Sequence, residues 1–221
     1  MAKRAFDIFF SLCGIVFLLP VFVLAALMVK LDGGGAVFFR QERMGRDFRP
    51  FKLYKFRSMR ESSASGPTVT VGGDSRITRA GRILRRYKID ELPQLINVLK
   101  GEMSFVGPRP EVKKYVVLFK PEYEMLLKVR PGITDPASIR YADEEAVLAA
   151  SSSGWEEAYV KRVLPEKIRL SAEYVRGRKD LATDLRLIVR TFLRIGGKAK
   201  GFLILPGPEK KGQKTRGRRP L

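Results

Sequence analysis

The sequence predicts an α/β chain (α+β, mostly helical) held to a membrane by its N-terminus. Three observations carry that expectation. An apolar run from Ile8 to Val29 holds no charged residue. Two strand-like stretches flank the turn Met44-Gly45-Arg46-Asp47. Much of the remainder places its apolar residues at helical spacing.

The apolar run comes first. Roughly 20 residues at about 1.5 Å each reach about 30 Å, the thickness of a hydrocarbon core. It is too long for a signal-peptide core, and no small-x-small site follows it before Leu31-Asp32. Lys3 and Arg4 precede it, and Lys30, Arg40, Arg43, Arg46 and further basic residues follow, against only Asp32, Glu42 and Asp47 up to Arg60. The positive-inside tendency places the downstream domain in the cytoplasm, yet the basic N-terminus prefers that side too. Pro20 removes a helical hydrogen bond in the middle of the run and kinks it. Two topologies fit: a kinked single span with its N-terminus outside, or a segment that bends at Leu19-Pro20 and returns.

Gly33 to Gly35 end the helix, and Ala36–Arg43 with Phe51–Met59 read as a hairpin. A period of two puts Lys55 and Arg57 on one face of the second strand. Basic residues there ordinarily face water; the alternative is a cationic site. Glu61–Ser75, rich in Ser, Gly and Thr, reads as a mobile loop. Ile77–Tyr87 reads as a basic helix with Arg79, Arg82, Arg85 and Arg86.

Lys88–Gly101 has helical spacing at Leu92, Leu95, Ile96 and Leu99, with Pro93 in a first turn and Gly101 as the stop. Asp90 falls where an N-cap belongs, and a helix start also favours a phosphate. Ser104–Glu111 reads as a rigid loop in which two prolines, Pro108 and Pro110, hold Arg109 for phosphate recognition; a plain surface turn is the alternative. Asp143-Glu144-Glu145 and Glu156-Glu157 read as helix-start charges rather than a metal site. Leu181–Ile195 is amphipathic, with Arg186, Arg190 and Arg194 four residues apart, and suits either a soluble surface or a membrane interface. The basic Gly/Pro-rich tail from Pro206 to Leu221 reads as flexible and able to attract anionic lipid. This divides the chain into a membrane helix, 1–32, a main cytoplasmic domain, 33–205, and a tail, 206–221.

Composition narrows the chemistry. The 221 residues include no histidine, which excludes Ser-His-Asp and Cys-His triads, His-ligated zinc and His bases. Cys13 is the single cysteine, so no internal disulfide or CxxC site exists. Lys and Arg number 43 against 23 Asp and Glu, a formal charge of +20, which calls for an anionic partner. Nucleic acid is the competing class. No helix-turn-helix, zinc or RNA-recognition signature accompanies the charge, which is spread rather than striped, so no nucleic-acid partner is expected.

Several stretches together resemble one family. They are Lys3-Arg4-Ala5-Phe6-Asp7, Phe38-Phe39-Arg40-Gln41-Glu42-Arg43-Met44-Gly45, Lys55-Phe56-Arg57-Ser58-Met59, the continuous stretch from Asp90 to Pro110, Arg130-Pro131-Gly132-Ile133-Thr134, and the Tyr174–Leu193 helix. The Asp90–Pro110 stretch is the specific one. The chain resembles, from about Lys3 to Arg194, the bacterial sugar transferases: monotopic polyprenyl-phosphate phosphoglycosyl transferases, here in their small, catalytic-domain-only form. That resemblance implies transfer of a sugar 1-phosphate from a UDP-sugar to polyprenyl (undecaprenyl) phosphate at the cytoplasmic face of the bacterial inner membrane, with UMP leaving. It implies a re-entrant helix bent at Leu19 and Pro20, and amphipathic helices at the interface. It assigns Asp90 as nucleophile, Glu91 as its acidic partner and Mg²⁺ to that pair. Lys55, Arg57, Arg85, Pro108, Arg109 and Arg140 are then candidates for binding the diphosphate and nucleotide. Three features depart from the family pattern. Leu19 stands where many relatives have Ser, Asp135-Pro136 replaces a commoner Gly and apolar residue, and the basic tail matches no family feature.

Overall fold

The structure is a computed structural model, which describes residues 2–33, 35–60, 74–144, 148, 154–177 and 180–197. Residues 61–73 of the loop expected over 61–75, Glu145 and the tail lie outside the described residues.

The apolar run forms two helices, α1 (Ala2–Phe17) and α2 (Leu19–Gly33), bent by 62° at Leu18. Pro20 supplies the cause: it has no N–H for the Val16 carbonyl, and its ring presses on that turn. The break therefore falls just ahead of the expected Leu19-Pro20 step. Among the described residues no single helix is long and apolar enough to cross a membrane; the bent pair passes only as a unit.

Both ends of this pair are fastened to the same domain. Near the start of α1, Arg4 donates to the Val98 and Leu99 carbonyls at 2.6 and 2.8 Å, and Lys3 pairs with Asp184. Asp7 accepts from the Ser104 hydroxyl and the Phe105 amide, both at 3.1 Å. At the far end, Asp32 accepts from the Ala80 amide at 2.7 Å, while Ala25 and Val29 pack with Phe56 and Leu84. Between these anchors Phe9, Phe17, Leu24 and Leu27 are more than half exposed.

Strands β1 (Phe38–Met44) and β2 (Pro50–Phe56) pair antiparallel, with Phe38 opposite Phe56 and Met44 opposite Pro50. The second strand stops before Met59, which instead bridges to Ile77. Phe51 and Leu53 face inward against Val98 and Met103. Lys55 continues that inward row, so it does not face water as strand lysines ordinarily do.

Helix α3 (Arg79–Arg86) begins at Thr78, whose hydroxyl caps the Gly81 amide. The helix expected to start from an Asp90 cap starts later: a 3₁₀ turn, Ile89–Glu91, precedes α4 (Gln94–Lys100), which ends at Gly101 with φ 84°. The expected loop at 104–111 begins as strand β3 (Ser104–Val106), parallel to β4 (Gly132–Thr134). Between them run α5 (Lys113–Leu118) and α6 (Lys120–Leu126), and α7 (Pro136–Arg140) follows.

The C-terminal part comprises α8 (Trp155–Ala158), a π turn (Tyr159–Val163), α9 (Leu164–Arg176) and α10 (Leu181–Gly197). Pro165 has no N–H for the Lys161 carbonyl, and the widened turn precedes it. The main core joins Tyr115, Leu126, Tyr159 and Leu164. In α10, Asp184 and Leu187 are buried, while Leu181, Leu185, Val189, Phe192 and Leu193 form an exposed apolar row beside exposed Arg186 and Arg190. Glu156 and Glu157 occupy the first turn of α8, as expected, whereas Glu144 pairs with Lys167 at 3.0 Å.

Candidate active site

Lys88 adopts a left-handed backbone, φ 57°, and turns the chain into the 3₁₀ segment that carries Asp90 and Glu91. Pro93, not Asp90, occupies the N-cap position of α4, and no side chain caps that helix. The capping role expected of Asp90 is therefore not made. The intervening short turn draws its carboxylate inward instead. Asp90 is 6 % exposed, and its buried Oδ1 has no hydrogen-bond partner among the described residues. Buried polar oxygens are nearly always partnered, so a solitary carboxylate oxygen marks a place kept for something else.

Glu91 has the opposite surroundings. Arg109 donates to it with two nitrogens, at 2.7 and 3.4 Å, and Lys55 pairs with it at 3.0 Å. The two acids consequently differ in proton affinity. Burial, then the neighbouring Glu91 charge, pushes the Asp90 carboxyl above its usual range, against the pull of Lys55, Lys88 and Arg85. Burial alone would raise Glu91 too, but Arg109 and Lys55 outweigh it and hold Glu91 well below the usual range. Burial also lowers Lys55, against the pull of Glu91.

The sequence-derived candidates fall into two places. Lys55, Arg85 and Arg109 join Asp90 and Glu91; Arg85, on the last turn of α3, also reaches the Ser58 hydroxyl at 3.4 Å. Arg57 is buried just beyond β2, its amide bonded to the Val37 carbonyl at 2.9 Å. Pro108 fixes the loop ahead of Arg109 by accepting from the Gly132 amide at 3.0 Å. Arg140 is placed elsewhere. It is exposed at the end of α7, among the charges that act on Tyr141 and Glu166, because α7 ends on the side facing α9.

Two contributors escaped sequence reasoning. Lys88 faces both acids and was signalled by its position just before Ile89-Asp90-Glu91. Glu111 is 6 % exposed behind Arg109. Its Oε1 accepts from the Tyr159 hydroxyl at 2.6 Å, and its Oε2 accepts from Arg43 at 3.2 Å. No sequence signal links Glu111 to Tyr159, 48 residues away.

Chemically, the site offers one carboxylate with an unpartnered oxygen, one carboxylate neutralised by two cations, and further basic groups around both. Such a site can receive a phosphoryl group and stabilise its charge. Among the described residues no three acidic or thiol side chains cluster as a metal cage.

Residues 1–198 match the family described as bacterial sugar transferase. The exopolysaccharide production protein PSS of Rhizobium leguminosarum bv. phaseoli is 39% identical over 209 residues, covering 90% of this chain and 98% of that protein. The UDP-glucose:undecaprenyl-phosphate glucose-1-phosphate transferase of Caulobacter vibrioides is 36% identical over 196 residues, 86% of this chain and 68% of that protein. The UDP-N-acetylgalactosamine-undecaprenyl-phosphate N-acetylgalactosaminephosphotransferase of Aeromonas hydrophila is 42% identical over 141 residues, 62% of this chain but only 33% of that protein.

Proposed function

The chain belongs to the bacterial sugar transferase family, and from that premise we propose that it moves a sugar 1-phosphate from a UDP-sugar to polyprenyl phosphate through Asp90. The observation that carries this reading is the buried, unpartnered Asp90 oxygen beside a neutralised Glu91.

In the first step an Asp90 oxygen attacks the β-phosphorus of the donor. The bond from that phosphorus to the oxygen bridging the α-phosphate breaks, and UMP leaves with the electron pair. The sugar phosphate is then an aspartyl acyl phosphate. In the second step a phosphate oxygen of the polyprenyl acceptor attacks the same phosphorus, forming polyprenyl-diphospho-sugar and releasing the Asp90 carboxylate. Arg109 and Lys55 hold Glu91 ionised beside the reacting phosphorus, and Arg85 and Lys88 face the same carboxylate pair. Together they offset charge on the donor diphosphate.

A divalent cation suits this site. Mg²⁺ is commonly held by one or two carboxylates, substrate phosphates and water rather than by an all-protein cage, and Asp90 with Glu91 supplies that donor set. When bound it would lower the negative charge at the carboxylate pair and diphosphate, favouring ionised Asp90.

The lipid acceptor explains the anchor. We read α1–α2 as re-entrant, since both ends fasten to one domain while the bend carries exposed apolar side chains. The exposed row on α10 then lies at the same interface, with Arg186 and Arg190 toward anionic headgroups. Basic residues on both sides of the anchor support a cytoplasmic position for this face.

The test is nucleotide release by detergent-solubilised protein with Mg²⁺, undecaprenyl phosphate and a panel of UDP-sugars. UMP should appear and should be lost in Asp90→Asn. UDP in its place would mean ordinary glycosyl transfer and overturn the mechanism.

A further inference from the structure

We propose that Glu111 is a positioning residue for Arg109, setting where its guanidinium meets Glu91 and the donor phosphates; this rests on the reading just given. Arg109 lies in a loop secured at both ends. On one side the Gly107 amide donates to the Thr134 carbonyl at 3.1 Å and the Pro108 carbonyl accepts from Gly132. On the other side restraints act at Pro110 and Glu111. The Met44 amide donates to the Glu111 carbonyl at 2.9 Å. Arg43 bridges the Pro110 carbonyl and Glu111 Oε2 with one nitrogen, 3.2 Å to each. Arg43 is itself held by Gln41, at 2.6 and 3.1 Å.

The Glu111 side chain also joins the loop to the C-terminal helices. Tyr159 donates to Oε1 at 2.6 Å, and Lys167 on α9 lies 3.8 Å from the same oxygen. Lys167 in turn pairs with Glu144. Tyr159 is fixed by its ring packing on Tyr115, 5.0 Å between centroids. Prolines alone fix φ at positions 108 and 110, which leaves the loop free to move as a rigid piece. A buried carboxylate that accepts from Tyr159, Arg43 and the Val112 amide removes that freedom, and its charge adds to the field of Glu91 on Arg109. Arg109 is therefore held directly by Glu91 and, through the loop backbone, by Glu111. Small displacements of a phosphate-binding arginine cost rate steeply.

Two measurements on the full chain decide this. In the nucleotide-release assay, Glu111→Gln should lower kcat/KM about 10- to 100-fold. The double variant Glu111→Gln/Arg109→Lys should fall no further than Arg109→Lys alone, because the first change acts through the second residue. Independent losses that multiply would overturn the proposal, whatever the cause of the single-variant loss. Tyr159→Phe, which keeps the ring and removes one donor, should shift the same way by less and guards against a Glu111→Gln that does not fold. The second measurement needs no turnover. Amide hydrogen exchange at Gly107, Arg109 and Glu111 should rise in both variants, with α10 unchanged. An unchanged loop would sink the proposal even where the wild-type chain releases no UMP, an outcome that bears on the donor and reaction instead.

Discussion

Arg109 Nη2 lies 2.7 Å from Glu91 Oε1, with Nη1 3.4 Å from Oε2, and Asp90, the residue just before Glu91, receives neither. One residue of difference along a 3₁₀ turn thus separates a satisfied carboxylate from a solitary one. Glu91 is a structural charge as well as a chemical one, because two cations depend on it. Asp90, buried with one oxygen unpartnered, is a cost to the fold.

Opposite stability effects are expected from the two acids. Glu91→Gln leaves Arg109 and Lys55 without their anion and should cost about 3–5 kcal/mol, the usual result of breaking a buried pair from one side. Asp90→Asn removes a carboxylate whose proton affinity is raised in the fold, so it should not lower the melting temperature at pH 7. The sign follows from the raised pKa: the penalty is fully present above the folded value and absent below the unfolded one. Yet Asp90→Asn should abolish UMP release. Thermal melts of both variants beside the release assay check this. A clear destabilisation by Asp90→Asn would mean that the carboxylate has a partner.

Close backbone contact at the arginine loop makes a second prediction. A Cβ on Gly132 would lie 2.1 Å from the Gly107 amide nitrogen, and one on Gly107 would lie 2.3 Å from the Arg130 carbonyl. Gly132→Ala must part β3 from β4 and carry Arg109 with it, at a cost of about 1–3 kcal/mol or more. Gly196, in α10, has open space around it, so Gly196→Ala should be neutral or stabilising by up to about 1 kcal/mol. Melting temperatures of the pair settle the matter. Equal effects would contradict the packing described.

Much of this was legible in the sequence because local rules governed it. The turn at Met44–Asp47 marked the hairpin, Gly101 marked the end of α4, and helical spacing gave α10 nearly to the residue. What was not legible depended on distance along the chain. Strands β3 and β4 have three residues each and find one another across a long separation, too short to leave a periodic signal. Asp90 looked like a cap because Lys88 gives no sign that it will take a left-handed backbone, which non-glycine residues rarely do. Lys55 looked solvent-facing because its partners, Glu91 and Arg109, come from elements that only the tertiary fold brings beneath β2. The Glu111, Tyr159 and Lys167 cluster is the extreme case: three ordinary residues, from separate elements, joined only by the core.

That cluster also predicts acid sensitivity. Burial by itself would raise the Glu111 carboxyl, but Lys167, Arg43 and the Tyr159 hydroxyl outweigh it and hold it below its usual range. A depressed carboxylate stabilises the fold fully above its unfolded pKa, about 4.3, and the contribution is lost as pH falls through the folded value. The difference in melting temperature between wild type and Glu111→Gln should therefore be constant from about pH 5 to 7 and shrink below about pH 4. A gap that persists unchanged into acid would show that the Glu111 charge contributes nothing.

The anchor gives the last prediction. A straight span would carry Lys3 and Arg4 to the far side of the membrane. There Arg4 could not reach the Val98 and Leu99 carbonyls, nor Lys3 reach Asp184. Asp7 would leave the Ser104 hydroxyl and the Phe105 amide, and a carboxylate within a helix that enters hydrocarbon has no other donors to turn to. The same-side arrangement keeps all of these and requires only the bend that Pro20 already imposes. In a Cys13→Ser background, Ala2→Cys and Ala36→Cys, both exposed positions, should therefore react with an impermeant maleimide from the same face of sealed vesicles. Asp184→Asn should loosen the first turn of α1 and raise proteolysis there without moving Ala2 across. Labelling of the two cysteines from opposite faces would replace the re-entrant anchor with a span, and the ion pair of Lys3 with Asp184 could then not form in the membrane.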